Sequence, residues 1–123
     1  MTSVTTNDQL GSGQPIFTGA VGVGRLHRFD TVDDVLEVLD SGTDPGELIA
    51  LVQDAGATFL APLEADLAGI LCRAGDIESH LAIISRDFRI PSLMGFSFTV
   101  EPEPENGTSV RIDLDSGSLQ PGE

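Results

Sequence analysis

The chain has 123 residues, enough for one compact domain, and 40% of them are apolar, enough for a core. Its 20 acidic residues stand against six arginines and no lysine, a formal net charge of −14. That balance argues against nucleic-acid binding, which needs a cationic surface, and points to high-salt adaptation or to partners with basic surfaces. No apolar run approaches the roughly 20 residues that a membrane-spanning helix needs. The single cysteine, Cys72, cannot make an internal disulfide and reads as a small buried hydrophobe, from which a cytoplasmic location follows.

Met1 to Gly13 is polar and lacks a basic region followed by an apolar one, so it is not a secretory signal and reads as a flexible tail. The domain proper is expected over residues 14–120, with 121–123 as a short C-terminal tail. Gln14 to Phe29 is an apolar run punctuated by glycines too dense for a helix, so strands with bulges or tight turns are expected. Those glycines do not form a phosphate-binding loop, because the Gly-Lys-Ser/Thr ending and a strand-to-helix context are missing. Thr31 is a plausible helix N-cap, with Asp33 and Asp34 in the first turn. Val32, Val35, Leu36 and Leu39 carry the helical periodicity, and Ser41-Gly42 ends it.

Asp44-Pro45-Gly46 is a turn, and Glu47 to Val52 reads as a buried strand. Asp54 to Asp66 is a helical candidate interrupted by Pro62, since an interior proline costs about 3 kcal/mol. Leu67 to Cys72 is a second short buried strand. Ser92 to Val100 is apolar, Glu101 to Glu105 is an acidic, proline-broken loop, and Asn106-Gly107 is a turn. Thr108 to Leu114 alternates, with Val110, Ile112 and Leu114 on one face, and a turn at Asp115-Ser116-Gly117 leads back through Ser118 to Gln120 as a hairpin. The order of elements predicts an α/β domain with a layered sheet-and-helix core.

The chemistry gathers in Gly75 to Pro91. A loop with Gly75 and Asp76 leads to Ser79, a good N-cap, and His80 falls at the first helical position. Leu81, Ile84 and Phe88 share a helical face and are expected to pack down. Arg86 and Arg89 sit toward the C-terminal end, where positive charge is favoured, and Pro91 stops the helix. An imidazole is thereby presented at the positive end of a helix, a suitable place for a group that carries an anion. Asp76, Glu78 and Asp87 lack a recognised metal-ligand spacing and read as a solvated acidic rim, so no metal site is expected. Ser79 as a nucleophile lacks an oriented base, because His80 is its neighbour in sequence and does not face it.

With these residues in place, the chain resembles the phosphohistidine, or swivelling, domain of PEP-utilising enzymes, whose pattern is roughly Gly-Gly-x-x-Ser-His-x-Ala-Ile-x-Ala-Arg-x-x-Gly-Ile-Pro. Gly75, Ser79, His80, Ala82, Ile83, Arg86, Ile90 and Pro91 match it. Asp76 replaces the second glycine, Glu78 stands where many dikinases have threonine, Ser85 replaces alanine, and Arg89 replaces a glycine at the helix end. The resemblance implies a swivelling β/α/β fold and a phosphoryl carrier. His80 takes a phosphoryl group from a donor and passes it between active sites, with Ser79 and Gly75 stabilising the anion or capping the helix. Asp76 and Glu78 favour the protonated imidazole and repel phosphate, and with Arg86 they are the possible modulators. The chain has no lysine for a nucleotide phosphate and no visible PEP-type arginine cluster or metal-ligand set. ATP or PEP, with Mg, is therefore expected on partner subunits: an ATP-grasp-like nucleotide-binding subunit, a substrate-binding subunit, or both. The alternative is a non-catalytic regulatory or binding module that retains the fold.

Overall fold

The computed structural model describes residues 9–53, 66–74 and 80–122. The glycine-rich N-terminal region forms two strands, β1 (Gly11–Pro15) and β2 (Val21–Arg28). Helix α1 (Val32–Ser41) follows. The Asp34 carboxylate accepts hydrogen bonds from the backbone N–H groups of Asp30 (2.7 Å) and Thr31 (3.1 Å), which fixes the helix start. Gly42 ends α1 at φ 75°, a left-handed conformation that glycine adopts without a Cβ penalty. A single 3-10 turn over Pro45–Glu47 leads into β3 (Leu48–Val52). Then come β4 (Gly69–Cys72), α2 (His80–Asp87), β5 (Ser92–Phe98), β6 (Ser109–Asp113) and β7 (Ser118–Pro121).

Strands β2, β3, β4 and β5 lie side by side and parallel. Parallel neighbours cannot be joined by a tight turn, and α1 and α2 lie in the crossovers from β2 to β3 and from β4 to β5. The antiparallel strands complete the circuit: β6 pairs with β2, β7 with β6, and β1 with both β7 and β5. The order β1-β5-β4-β3-β2-β6-β7 thus closes into a barrel. The mixed α/β composition agrees with the sequence, and the sheet closes on itself with a barrel interior.

β3 and β4 are buried at every position, which is why their sequences are unbroken apolar runs rather than alternating ones. Their successive side chains serve two cores. Leu48, Ala50, Val52, Ile70 and Cys72 join Val35, Val38, Leu81 and Ala82 on the helix side. Ile49, Leu51 and Leu71 point into the barrel, with Leu26, Leu93, Phe96 and the alternating set Val110, Ile112 and Leu114.

Several expectations are corrected. β1 begins at Gly11, inside the stretch read as a tail, and β7 runs to Pro121, one residue past the expected domain end. The hydrogen-bonding needs of the edges of β5 and β7 recruit these polar residues, whose sequence carries no strand signal. β2 is one unbroken eight-residue strand, and its glycines answer a packing need instead of making turns. A Cβ on Gly22 would lie 2.5 Å from the Ala68 carbonyl oxygen, and one on Gly24 would lie 2.7 Å from that of Glu47. A register irregularity does occur in β1, between Ser12 and Gln14. On α1, Val35 and Val38 are buried, whereas Val32, Leu36 and Leu39 are 54%, 49% and 49% exposed, so the buried stripe is narrower than the periodicity suggests. The helix expected over Asp54–Asp66 lies, but for Asp66, outside the described residues. Among the described residues no helix is long and apolar enough to cross a membrane.

A Gly22→Ala substitution tests the closure. The added methyl meets backbone, which cannot rotate away, so the variant should lose stability by roughly 1–3 kcal/mol in urea unfolding. An unchanged midpoint would show that β2 and the segment at Ala68 are not tightly apposed.

Candidate functional site

All four parallel strands point their C-terminal ends to one rim of the barrel, the usual side for ligand sites in such sheets. The chain leaves β4 at this rim. Arg73, just past the strand, still donates its backbone N–H to the Val52 carbonyl (3.0 Å). The described part of helix α2 opens at His80, which the sequence places in this helix. His80 is placed by its backbone, while Gly75, Asp76, Glu78 and Ser79 lie outside the described residues.

Helix α2 is held by its buried face and by its far end. Leu81, Ala82 and Ser85 are buried and Ile84 is half-buried. Phe88, expected on this face, is 57% exposed. Its N–H still bonds to the Ile84 carbonyl (3.0 Å), so the helical rotation reaches it; the buried stripe runs instead through Leu81, Ala82 and Ser85, and Ile90 supplies the next buried apolar group. The cap is a Schellman motif: the Ile90 N–H donates to the Ser85 carbonyl (2.8 Å) and the Arg89 N–H to that of Arg86 (3.2 Å). Arg89 takes the left-handed position at φ 60°, the conformation that the missing glycine would adopt at lower cost. Its guanidinium lies 5.0 Å from the centroid of the Phe17 ring, a cation–π contact that offsets part of that cost. Arg86 donates from Nε to the Ile16 carbonyl at a long 3.5 Å. Both arginines therefore tie the helix end to the segment between β1 and β2.

A second group of charged residues escaped sequence reasoning. Arg28 ends β2, Arg73 follows β4, and both donate to one oxygen of Glu103, at 3.3 and 2.8 Å. Both guanidinium groups also face Phe98 at the end of β5, at 5.9 and 5.4 Å from the ring centroid. Asn106 holds Arg28 separately, since its side-chain oxygen accepts from the Arg28 backbone N–H (2.9 Å) and from Nη1 (3.3 Å). The available signal was positional: two of six arginines fall at the ends of strands whose C-termini share a rim.

His27 lies within β2 and is half-buried. Its ring stacks on Phe29 with centroids 4.5 Å apart, and Nδ1 lies 3.0 Å from the Arg28 carbonyl, which can accept its proton. Cys72 is buried, as expected. Among the described residues no group of three or more His, Cys, Asp or Glu side chains could hold a metal ion.

The stretch that carries β3, β4, His80 and the rim residues Arg73 and Glu103 also matches a known family. The chain belongs to the family described as PEP-utilising enzyme, mobile domain, which matches residues 44–117. Among solved structures, it is similar to the holo-form of aconitase X from Thermococcus kodakaraensis, with a TM-score of 0.53 and 16% identity over 89% of this chain and 95% of that one. At that identity the likeness is one of fold. No curated protein matches the chain.

Two substitutions test how α2 is built. The Ser85 hydroxyl is fully buried with no hydrogen-bond partner among the described residues. Leaving such a group unpaired costs roughly 1–3 kcal/mol, so Ser85→Ala should raise the urea midpoint, by about 1 kcal/mol after the loss of packing. A lower midpoint would reveal a partner for the hydroxyl. At Arg89, Gly and Ala both remove the contact with Phe17, while Gly alone relieves the left-handed backbone. Arg89→Gly should therefore be about 1 kcal/mol more stable than Arg89→Ala. Equal midpoints would mean that the backbone there costs nothing.

Proposed function

We propose that this chain is the phosphoryl-carrier subunit of an ATP- or PEP-dependent phosphotransferase of the dikinase or synthase type, with His80 as the acceptor. One observation carries the reading: a histidine opens α2, directly after the connection from a parallel strand, within the segment that matches the mobile domain of PEP-utilising enzymes. An unprotonated imidazole nitrogen attacks the donor phosphorus. The N–P bond forms as the bond from phosphorus to its leaving oxygen breaks, and the product is phosphohistidine. The neutral imidazole is the form competent for this attack. In the second half-reaction an acceptor oxygen displaces the imidazole. Backbone N–H groups at the start of α2, with Ser79 and Gly75, stabilise the transferred group. Asp76, Glu78 and Arg86 tune the rate.

ATP or PEP, with its Mg, binds on partner subunits: an ATP-grasp-like nucleotide-binding subunit, a substrate-binding subunit, or both. A net charge of −14 suits partners that present basic surfaces. The system operates in the cytoplasm, without nucleic acid or membrane. A second reading is a non-catalytic binding or regulatory module. The acidic residues Asp76 and Glu78 beside the histidine favour it, as does the sharing of this fold with a chain described as aconitase X.

Incubation with partner subunits and phosphate-labelled ATP or PEP should place acid-labile, alkali-stable label on the wild-type chain and none on His80→Ala. Equal labelling of the two, or no label with either donor, would sink the carrier reading. Under the second reading His80→Ala keeps both partner binding and biological role.

A further inference from the structure

We propose that Arg28 and Arg73 form a binding site for a phosphoryl or phosphate dianion at the mouth of the barrel, and that Glu103 occupies this site in the resting chain. The two Nη2 atoms converge on the same carboxylate oxygen, Glu103 Oε1. Two cations thus face one monoanion, with Glu101 lining the same cavity as Glu103, on a chain whose net charge is −14. Arg73 has further capacity: its Nε is buried and has no hydrogen-bond partner among the described residues. A guanidinium engages carboxylate and phosphate oxygens through paired N–H groups, and Glu103 takes one of these from Arg73 at Nη2 while Nε goes unused.

The pair is built to outlast the departure of Glu103. Asn106 holds Arg28 through the backbone and Nη1. Phe98 lies under both guanidinium groups, and its own ring packs edge-on against buried Phe96, with centroids 4.9 Å apart. The arginines thus rest on the rigid interior of the barrel. Glu103, in contrast, lies between two prolines in an acidic segment and its side chain is 43% exposed, against 26% for each arginine. Partly exposed ion pairs of this kind are weak, so a dianion can displace the carboxylate at low cost. The bland alternative is that the pairs merely pin the acidic segment to the barrel. That role leaves unexplained why two cations meet on a single oxygen and why Arg73 Nε is buried unpaired.

Naming a phosphoryl oxyanion as the ligand rests on the carrier reading; the geometry itself requires an anion with several oxygens. The test uses the unphosphorylated full chain and inorganic phosphate, with chloride at matched ionic strength as control, and follows the arginine Nε–H resonances by NMR. In the wild-type chain the Arg28 and Arg73 resonances should move together at high phosphate. Glu103→Gln should bind phosphate at least ten-fold more tightly, and adding Arg73→Gln should abolish that binding. His80→Ala should bind phosphate as the wild type does, so this site can fail or succeed independently of phosphohistidine formation. Immobile arginine resonances in the wild type would overturn the proposal even if Glu103→Gln did not fold. So would unchanged affinity in Glu103→Gln, or binding that survives Arg73→Gln.

Discussion

Closure of the sheet is the constraint on which the rest of the molecule depends. A seven-strand barrel with helices outside it must fill its interior with side chains and still let its strands and connections meet closely. Glycine at the crowded positions makes this possible. Gly22 and Gly24 let β2 approach Ala68 and Glu47, and a Cβ on Gly69 would lie 2.6 Å from Ile112 Cδ1, in the middle of the interior. β3 and β4, trapped between the interior and the helices, then have no solvent face and no use for polar residues. Closure also sets the function-bearing geometry, because four parallel strands deliver Arg28, Val52, Cys72 and Phe98 to one rim.

Phe98 connects that rim to the core. It packs partly buried against the interior cluster, two residues beyond buried Phe96 on the same strand face. Its outer side receives Arg28 and Arg73. Of the chain's six arginines, two therefore stand over the barrel mouth and two, Arg86 and Arg89, lie against the segment at Ile16 and Phe17. These four arginines each meet a carbonyl, a ring or a carboxylate across tertiary contacts.

What could be read from the sequence was local. The buried strands β3 and β4, the helix that carries His80 and the alternating strand β6 each follow from a few adjacent residues. Features that depend on distant partners were not legible. Gly11 to Gly13 is polar and glycine-rich, and becomes a strand because β5 and β7 present edges on either side of it. Phe88 has helical spacing from Leu81 and Ile84 but lies beside the buried stripe, which tertiary packing sets through Leu81, Ala82 and Ser85. Nothing in local sequence brings Arg28, Arg73 and Glu103 together, since they lie at the end of β2, after β4 and after β5 and meet only once the strands are ordered around the barrel. The candidate site was thus half legible, with its histidine visible as a motif and its arginines dependent on topology.

The position of His80 is set from the opposite end of its own helix. Eight residues are too few for a helix to persist in water unaided, so α2 exists through its packing and its caps. Leu81 and Ala82 fix its depth against the sheet. The Schellman turn, Ile90, and the contacts of Arg86 and Arg89 with Ile16 and Phe17 fix its direction. Those contacts lead back to β1, the strand that completes the barrel between β5 and β7. The residue that opens α2 and the strand that closes the sheet are therefore mechanically linked through one turn of chain. A strained arginine stands where glycine would cost less because it makes that link, which glycine cannot.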